Sequence, residues 1–257
     1  MSFLVRSIAA WSGLLLAAVP AHSAIACDPV AAHMVGIMSL YQGTIGPYPV
    51  RMGLQFGTRG DVTGLYGYAA GPGRLALAGR LTPDGRLLLT ESVAGGRGSA
   101  RFVARMPGQG DAACQTISGT WIAAGTGRRL AVRLRYSDTS FRPLAYYLRP
   151  GDLRVERAAV AFRAAALAGH RRAVVAALRD PVRVSLGGRG SRLARPAAVL
   201  AHYAAIFTPD AAIFTPVFLA RLRADVPHLL FVRDQGFMLG GGAVWFDRAG
   251  KVITLNN

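Results

Sequence analysis

Two hydrophobic periods divide the chain. From Leu40 to Tyr136 apolar and polar residues alternate one for one: Val50, Met52, Leu54 and Phe56 alternate with Arg51, Gly53, Gln55 and Gly57, and Leu130, Val132, Leu134 and Tyr136 with Ala131, Arg133 and Arg135. A period of two buries one face of a strand and wets the other. Turn chemistry separates the runs at short intervals, at Thr58–Asp61, Gly71-Pro-Gly73, Pro83-Asp-Gly85, Gly95–Gly98, Pro107–Asp111 and Gly125-Thr-Gly127. Glycine supplies the positive φ that such turns need. About eight short strands joined this way predict an antiparallel meander that closes into a barrel, because closure removes exposed edges.

The second half changes period. Residues 152–167 and 169–179 read as helices with Ala-rich packing faces, and Pro181–Leu186 as a short strand ending in Gly187-Gly188. Asp180-Pro181 reads as a helix stop, since proline cannot continue a helix and disfavours it one residue earlier. Pro196 opens a further helix whose Val199, Leu200, Tyr203, Ile206 and Phe207 form one apolar stripe. Strands follow at 228–233, 236–239, 243–246 and 252–255, with a turn at Asp247–Gly250. Gly236, Gly240, Gly241 and Gly242 precede no helix, so they predict a hairpin or bulge rather than a phosphate loop. Helices followed by a curved antiparallel sheet predict an α+β domain over 152–257, joined to a β-barrel domain over 27–137 by a Pro- and Gly-bearing linker at 138–151.

The first 26 residues carry one positive charge at Arg6, an apolar run from Ile8 to Val19, and small residues at Ala24-Ile25-Ala26. That order is a secretory signal peptide, and its apolar run is short for a bilayer span. No later stretch reads as a membrane helix. The expected destination is export, to the periplasm or the medium. Two cysteines, Cys27 and Cys114, then predict a disulfide. The alternative is a lipoprotein anchored through Cys27, because Ala-Ile-Ala-Cys resembles a lipobox, with Ala24 where leucine is usual.

Net charge is +17, which attracts polyanions. The basic residues are arginine except for Lys251, in a chain rich in Ala, Gly and Pro, the composition of a GC-rich gene. No zinc pattern, recognition-helix signature or aromatic RNA-binding motif accompanies the charge, so no specific nucleic-acid binding is expected. The histidines show no metal-ligand spacing and the serines no nucleophile elbow. No metal, cofactor or catalytic set is therefore expected.

The phrase Ala-Ala-Ile-Phe-Thr-Pro is written twice, at 204–209 and 211–216. Each Thr-Pro reads as a helix N-cap followed by the first helical position. The prolines forbid one helix through both copies, and the second copy opens a helix with a Phe218, Leu219, Leu222, Val226 stripe.

Val182-Arg-Val, the Ile-Phe-Thr-Pro junction, Gly236-Phe-Met-Leu-Gly-Gly-Gly-Ala-Val-Trp-Phe-Asp247 and Ile253-Thr-Leu-Asn256 together resemble C-terminal domains of exported bacterial proteins with the nuclear-transport-factor-2-like cone fold. The segment before them resembles small exported β-barrel modules, in Gly64-Leu-Tyr-Gly-Tyr68 and Ile117-Ser-Gly-Thr-Trp121. The cone resemblance implies a pocket between helices and sheet, for which Tyr203, Phe237 or Met238, and Trp245 are the candidate lining and Arg183 the candidate anion anchor. Tyr203 also fits the core. The expected function is non-catalytic binding of a small molecule or envelope component. Enzymes of the cone fold, such as ketosteroid isomerases and scytalone dehydratases, supply the alternative of metal-independent isomerase or dehydratase chemistry. An envelope-interaction or inhibitor role is a third reading, and a homodimer is compatible with all three.

Overall fold

A computed structural model describes residues 27–71, 73–93, 98–108, 113–140, 142–185, 191–201, 215–233 and 236–256. The signal-peptide segment, His202, Tyr203, the first Ile-Phe-Thr-Pro copy and Ile213-Phe214 of the second lie outside the described residues. Eight strands, β1 (Met38–Ile45), β2 (Tyr48–Phe56), β3 (Asp61–Tyr68), β4 (Arg74–Leu81), β5 (Arg86–Ser92), β6 (Gly98–Arg105), β7 (Thr116–Ala123) and β8 (Arg129–Ser140), pair antiparallel in sequence order. β8 returns to pair with β1, and the barrel is closed. The alternating apolar positions fill its interior, among them Tyr41, Met52, Phe56, Tyr66, Leu77, Leu89, Phe102 and Leu134. An eight-stranded barrel is narrow enough for side chains to fill.

Cys27 and Cys114 form a disulfide across a sequence separation of 87. It ties the segment that enters the barrel to the β6–β7 loop. Cys27 N–H also donates to Met106 O at 3.2 Å, so the entering chain is held by backbone as well as sulfur.

The second region opens with α1 (Leu144–Tyr147), α2 (Pro150–Leu167) and α3 (Arg171–Ala176). It continues through β9 (Leu178–Ser185), β10 (Ser191–Ala194), α4 (Pro196–Ala201) and α5 (Pro216–Ala224). Four strands close the region, β11 (Phe231–Arg233), β12 (Gly236–Leu239), β13 (Val244–Phe246) and β14 (Val252–Asn256). The sheet order is β10-β9-β14-β13-β12-β11. Its helix-covered face buries Val182, Val184, Phe237, Leu239, Val244, Phe246 and Leu255 against Val155, Ala159 and Phe162 of α2 and Phe218 and Leu222 of α5.

Two expectations change. The sheet is mixed rather than antiparallel, because β14 pairs parallel with β9 while β13 flanks its other side. Asp180-Pro181 is not a helix stop. It lies inside β9 with a cis peptide bond, in the irregular part of the β9–β14 ladder between the Leu178 and Arg183 pairs, where the missing N–H interrupts no bond. Within the segment expected as linker, β8 runs to Ser140 and α1 occupies Leu144–Tyr147.

Other expectations hold. Thr215 is the N-cap of α5, its side-chain oxygen accepting from Phe218 N–H at 3.1 Å, with Pro216 in the first turn. Gly240, Gly241 and Gly242, with φ of 67°, 62° and 91°, form the β12–β13 hairpin turn, a conformation that side-chain-bearing residues resist.

Candidate functional site

The barrel's outer surface carries one row of residues in register across four strands: Gln42 on β1 faces Arg51 on β2, Arg51 faces Gly67 on β3, and Gly67 faces Arg74 on β4. Inward neighbours such as Tyr66 belong to the barrel core, so strict alternation turns this row outward, where the α+β region docks upon it. Each cation in the row meets a buried carboxylate from the second region.

Arg74 meets Glu156 of α2. Arg74 Nε donates to Glu156 Oε2 at 2.8 Å, and Nη2 lies 2.6 Å from Oε1. Arg74 Nη1 donates to the Tyr147 carbonyl. Leu229 N–H donates to Glu156 Oε1, and His228 Nδ1 lies 3.2 Å from Oε2. His228 Nε2 lies 2.8 Å from the Gly71 carbonyl of the barrel. Both partners of the imidazole are oxygen atoms, one from the Glu156 carboxylate and one from the Gly71 carbonyl. Burial by itself would raise the Glu156 pKa, but hydrogen bonds from His228 and Arg74 and their charges outweigh it and hold the carboxyl below its ordinary value.

Arg51 meets Asp225, the residue that ends α5. Arg51 Nη1 donates to the His228 carbonyl at 3.1 Å, and Gln42 Nε2 donates to the Ala224 carbonyl at 3.0 Å. Asp225 in turn accepts from Gly240 N–H at 2.6 Å and Val226 N–H at 2.9 Å. An acid at a helix C-terminus faces the negative end of the dipole. Arg51 neutralises it, and Arg163 of α2 adds donors to the carbonyls of Leu222 at 2.7 Å and Arg223 at 2.9 Å.

Gly67 leaves the space between these pairs. A Cβ on it would sit 2.8 Å from His228 Cγ and 2.9 Å from His228 Cβ, closer than carbon atoms pack. The missing side chain is the socket for the imidazole. Around it Met38, Leu40 and Leu65 from the barrel exterior join Tyr146, Tyr147 and Leu229 in a small apolar cluster.

Two clefts flank this junction. One, of about 230 Å³, has Glu156 and His228 on its floor and Gly73, Leu153, Arg157, Val160 and Ala161 around it. The other, of about 150 Å³, lies beside Arg51 and Asp225 and is bordered by Gln42, Asp138, Phe231 and Met238. In the larger cleft the dyad is already engaged: the Glu156 carboxylate takes donors from Arg74, His228 and Leu229, and both His228 ring nitrogens face protein acceptors. Among the described residues, both carboxylate oxygens and both ring nitrogens on that floor already have protein partners. The floor therefore offers shape and polarity, while Arg157 at the edge offers a positive charge.

Of the residues expected to line a cone pocket, Met238, Trp245 and Arg183 share one face of the second sheet, and Phe237, the alternative to Met238, lies on the other. Phe237 is packed in the core beneath the helices. Met238, Trp245 and Arg183 fall on the opposite side, in a row that runs Phe231, Met238, Trp245, Thr254, Arg183, Leu193 across all six strands. Met238 reaches the smaller junction cleft, and Trp245 Nε1 donates to the Gly242 carbonyl at 3.1 Å. Tyr203 lies outside the described residues. Glu156, Arg74, Arg51 and Asp225 carry no local motif that separates them from the other charged residues, since their partners come from the other half of the chain. His228 and Gly67 were equally silent, although a histidine at the head of an apolar strand and a glycine inside an alternating one are both departures from pattern.

The chain matches no family model, no curated protein and no solved structure.

Proposed function

We propose that this is an exported, non-catalytic binding protein whose two modules are locked into one body, with the cleft over Glu156 and His228 as the ligand site. The observation that carries the reading is the saturation of that dyad. A general acid or base must hold or accept a proton at an atom facing substrate, and here each such atom is engaged by Arg74, Leu229, Gly71 or its dyad partner. This speaks against the isomerase or dehydratase alternative. Export is supported by the signal-peptide pattern of the first 26 residues and by the Cys27–Cys114 disulfide. The helices packed on a curved sheet support the nuclear-transport-factor-2-like reading of the second module.

The cleft's chemistry narrows the ligand. About 230 Å³ is below the roughly 300–1,000 Å³ of pockets that take drug-sized molecules, so the occupant is small. Leu153, Val160 and Ala161 supply apolar contact and Arg157 the charge, a combination that fits a short apolar molecule with an anionic head. Thermal-shift titration with short-chain carboxylates and their uncharged amides tests it. The acids should raise Tm, the amides less, and Ala161→Trp should abolish the effect by filling the cleft. Equal shifts in Ala161→Trp, or none with any acid, would overturn the assignment.

A further inference from the structure

Among the described residues, the barrel interior holds one carboxylate among apolar side chains. Glu91 follows Leu87 and Leu89 on the inward face of β5 and is 4% exposed. Three donors from three other strands converge on it: the Tyr66 hydroxyl of β3, the Ser99 hydroxyl of β6, and Trp121 Nε1 of β7 at 2.8 Å. Ser99 reaches it through a β-bulge, for the ladder passes from Glu91–Ala100 to Ser92–Gly98 and leaves Ser99 unpaired between them. Bulges re-aim side chains in this way. Burial first, and the hydrogen bond to Glu91 second, push the Tyr66 phenol well above its ordinary pKa, so it stays a donor.

What the cluster lacks is a cation. Among the described residues no Arg, Lys or His forms an ion pair with Glu91, in a chain with 30 basic residues and 13 acidic ones. The other buried acids among the described residues, Glu156 and Asp225, each have an arginine. Charges taken out of water are ordinarily paired. Hydroxyl and indole donors orient the carboxylate without neutralising it.

A chain of aromatic rings leads toward it from the rim. Tyr48, Tyr68, Tyr66 and Phe102 descend from the barrel rim to the interior as consecutive edge-to-face pairs, with ring centroids 6.0, 5.4 and 5.6 Å apart. Tyr48 is 44% exposed, and Tyr68, Ser99 and Trp121 are half-buried. The carboxylate thus lies one layer of aromatic side chains below solvent, at the end of the barrel where β1 turns into β2 and β7 into β8. Tyr66 and Trp121 turn their O–H and N–H groups toward the carboxylate, and aromatic rings close to a carboxylate add the quadrupole's attraction for an ammonium group to that of the full charge.

We propose that this mouth of the barrel binds a small organic ammonium ion, with Glu91 as its counter-ion and Tyr68 and Trp121 as its walls. The site is separate from the cleft over Glu156 and does not depend on that cleft's ligand. Trp245→Phe leaves Trp121 as the fluorescent tryptophan of residues 27–257. In that background n-butylammonium and tetramethylammonium, titrated to millimolar concentration, should change Trp121 emission saturably, while n-butanol should not. Glu91→Gln, which keeps the size and acceptor oxygen, should weaken binding at least about tenfold, the loss expected for a desolvated charge contact. The indole N–H resonance of Trp121 gives a second readout on the unaltered chain. Absence of saturable binding by either ammonium ion, or unchanged binding in a folded Glu91→Gln protein, would overturn the proposal.

Discussion

Arg74 of the barrel grips Glu156 of α2 at two points, Nε to Oε2 at 2.8 Å and Nη2 to Oε1 at 2.6 Å. Their side chains are each 6% exposed, so neither charge has water to fall back on. Removing one partner of a buried pair costs about 3–5 kcal/mol, because the other is left uncompensated. Arg74→Met should lower stability by that order in chemical denaturation. Glu156→Gln, which strands Arg74 beside His228, should do the same.

The same pair sets an acid dependence. Glu156 has its pKa lowered in the folded state, so the unfolded chain binds its proton more readily. Its contribution is fully present above the ordinary carboxylate range and is lost as pH falls through that range and below. The stability of the unaltered protein should therefore decline on acidification more steeply than that of Glu156→Gln. Parallel profiles from denaturant melts at a series of pH values would remove Glu156 from the account.

Gly67→Ala tests the imidazole socket. The new methyl would lie within 3.0 Å of three His228 atoms, two of them tied close to the backbone. Overpacking of this kind costs about 1–3 kcal/mol. The loss should be largely absent in Gly67→Ala/His228→Ala, where the ring is gone, so the double-mutant cycle should show strong coupling.

The disulfide and the lipid anchor compete for one sulfur. Intact mass of the exported protein should show Cys27 and Cys114 oxidised, without a lipid adduct. Cys27→Ser/Cys114→Ser should lose about 2–5 kcal/mol, as expected for a native bridge in a small exported domain. A loss near zero would mean that the backbone bond from Cys27 to Met106 already fixes the entering segment.

Deleting Asp210–Pro216 should leave a cooperatively folded protein. Thr215 and Pro216 cap α5, and the deletion brings Thr208 and Pro209 to the same place before Val217. Loss of a single unfolding transition would show that both copies are structural.

The barrel was legible because its information is local. Each strand alternates, each turn carries its own chemistry, and closure follows from strand count. The second region hid more. Ser191–Ala194 is too short to show a period, and the parallel place of β14 beside β9 joins segments some seventy residues apart, as Thr254 with Arg183. Asp180-Pro181 carried a helix-stop signal that also suits an irregular strand, since the residue before proline prefers extended backbone. The junction could not be read at all, because Arg74 and Glu156 are 82 positions apart and look like ordinary surface charges until the two surfaces meet. Glu91 left a trace, as an acid at an inward position of an alternating strand.

The central place of β14 has a consequence for the order of assembly. Barrel closure needs nothing beyond Ser140, since β8 itself seals against β1. The second sheet, by contrast, stays in two halves, β10-β9 and β13-β12-β11, until Val252–Asn256 arrives to join them. During chain emergence the barrel can therefore stand complete as a template, offering Arg51 and Arg74 to a partner region that only the last strand can finish.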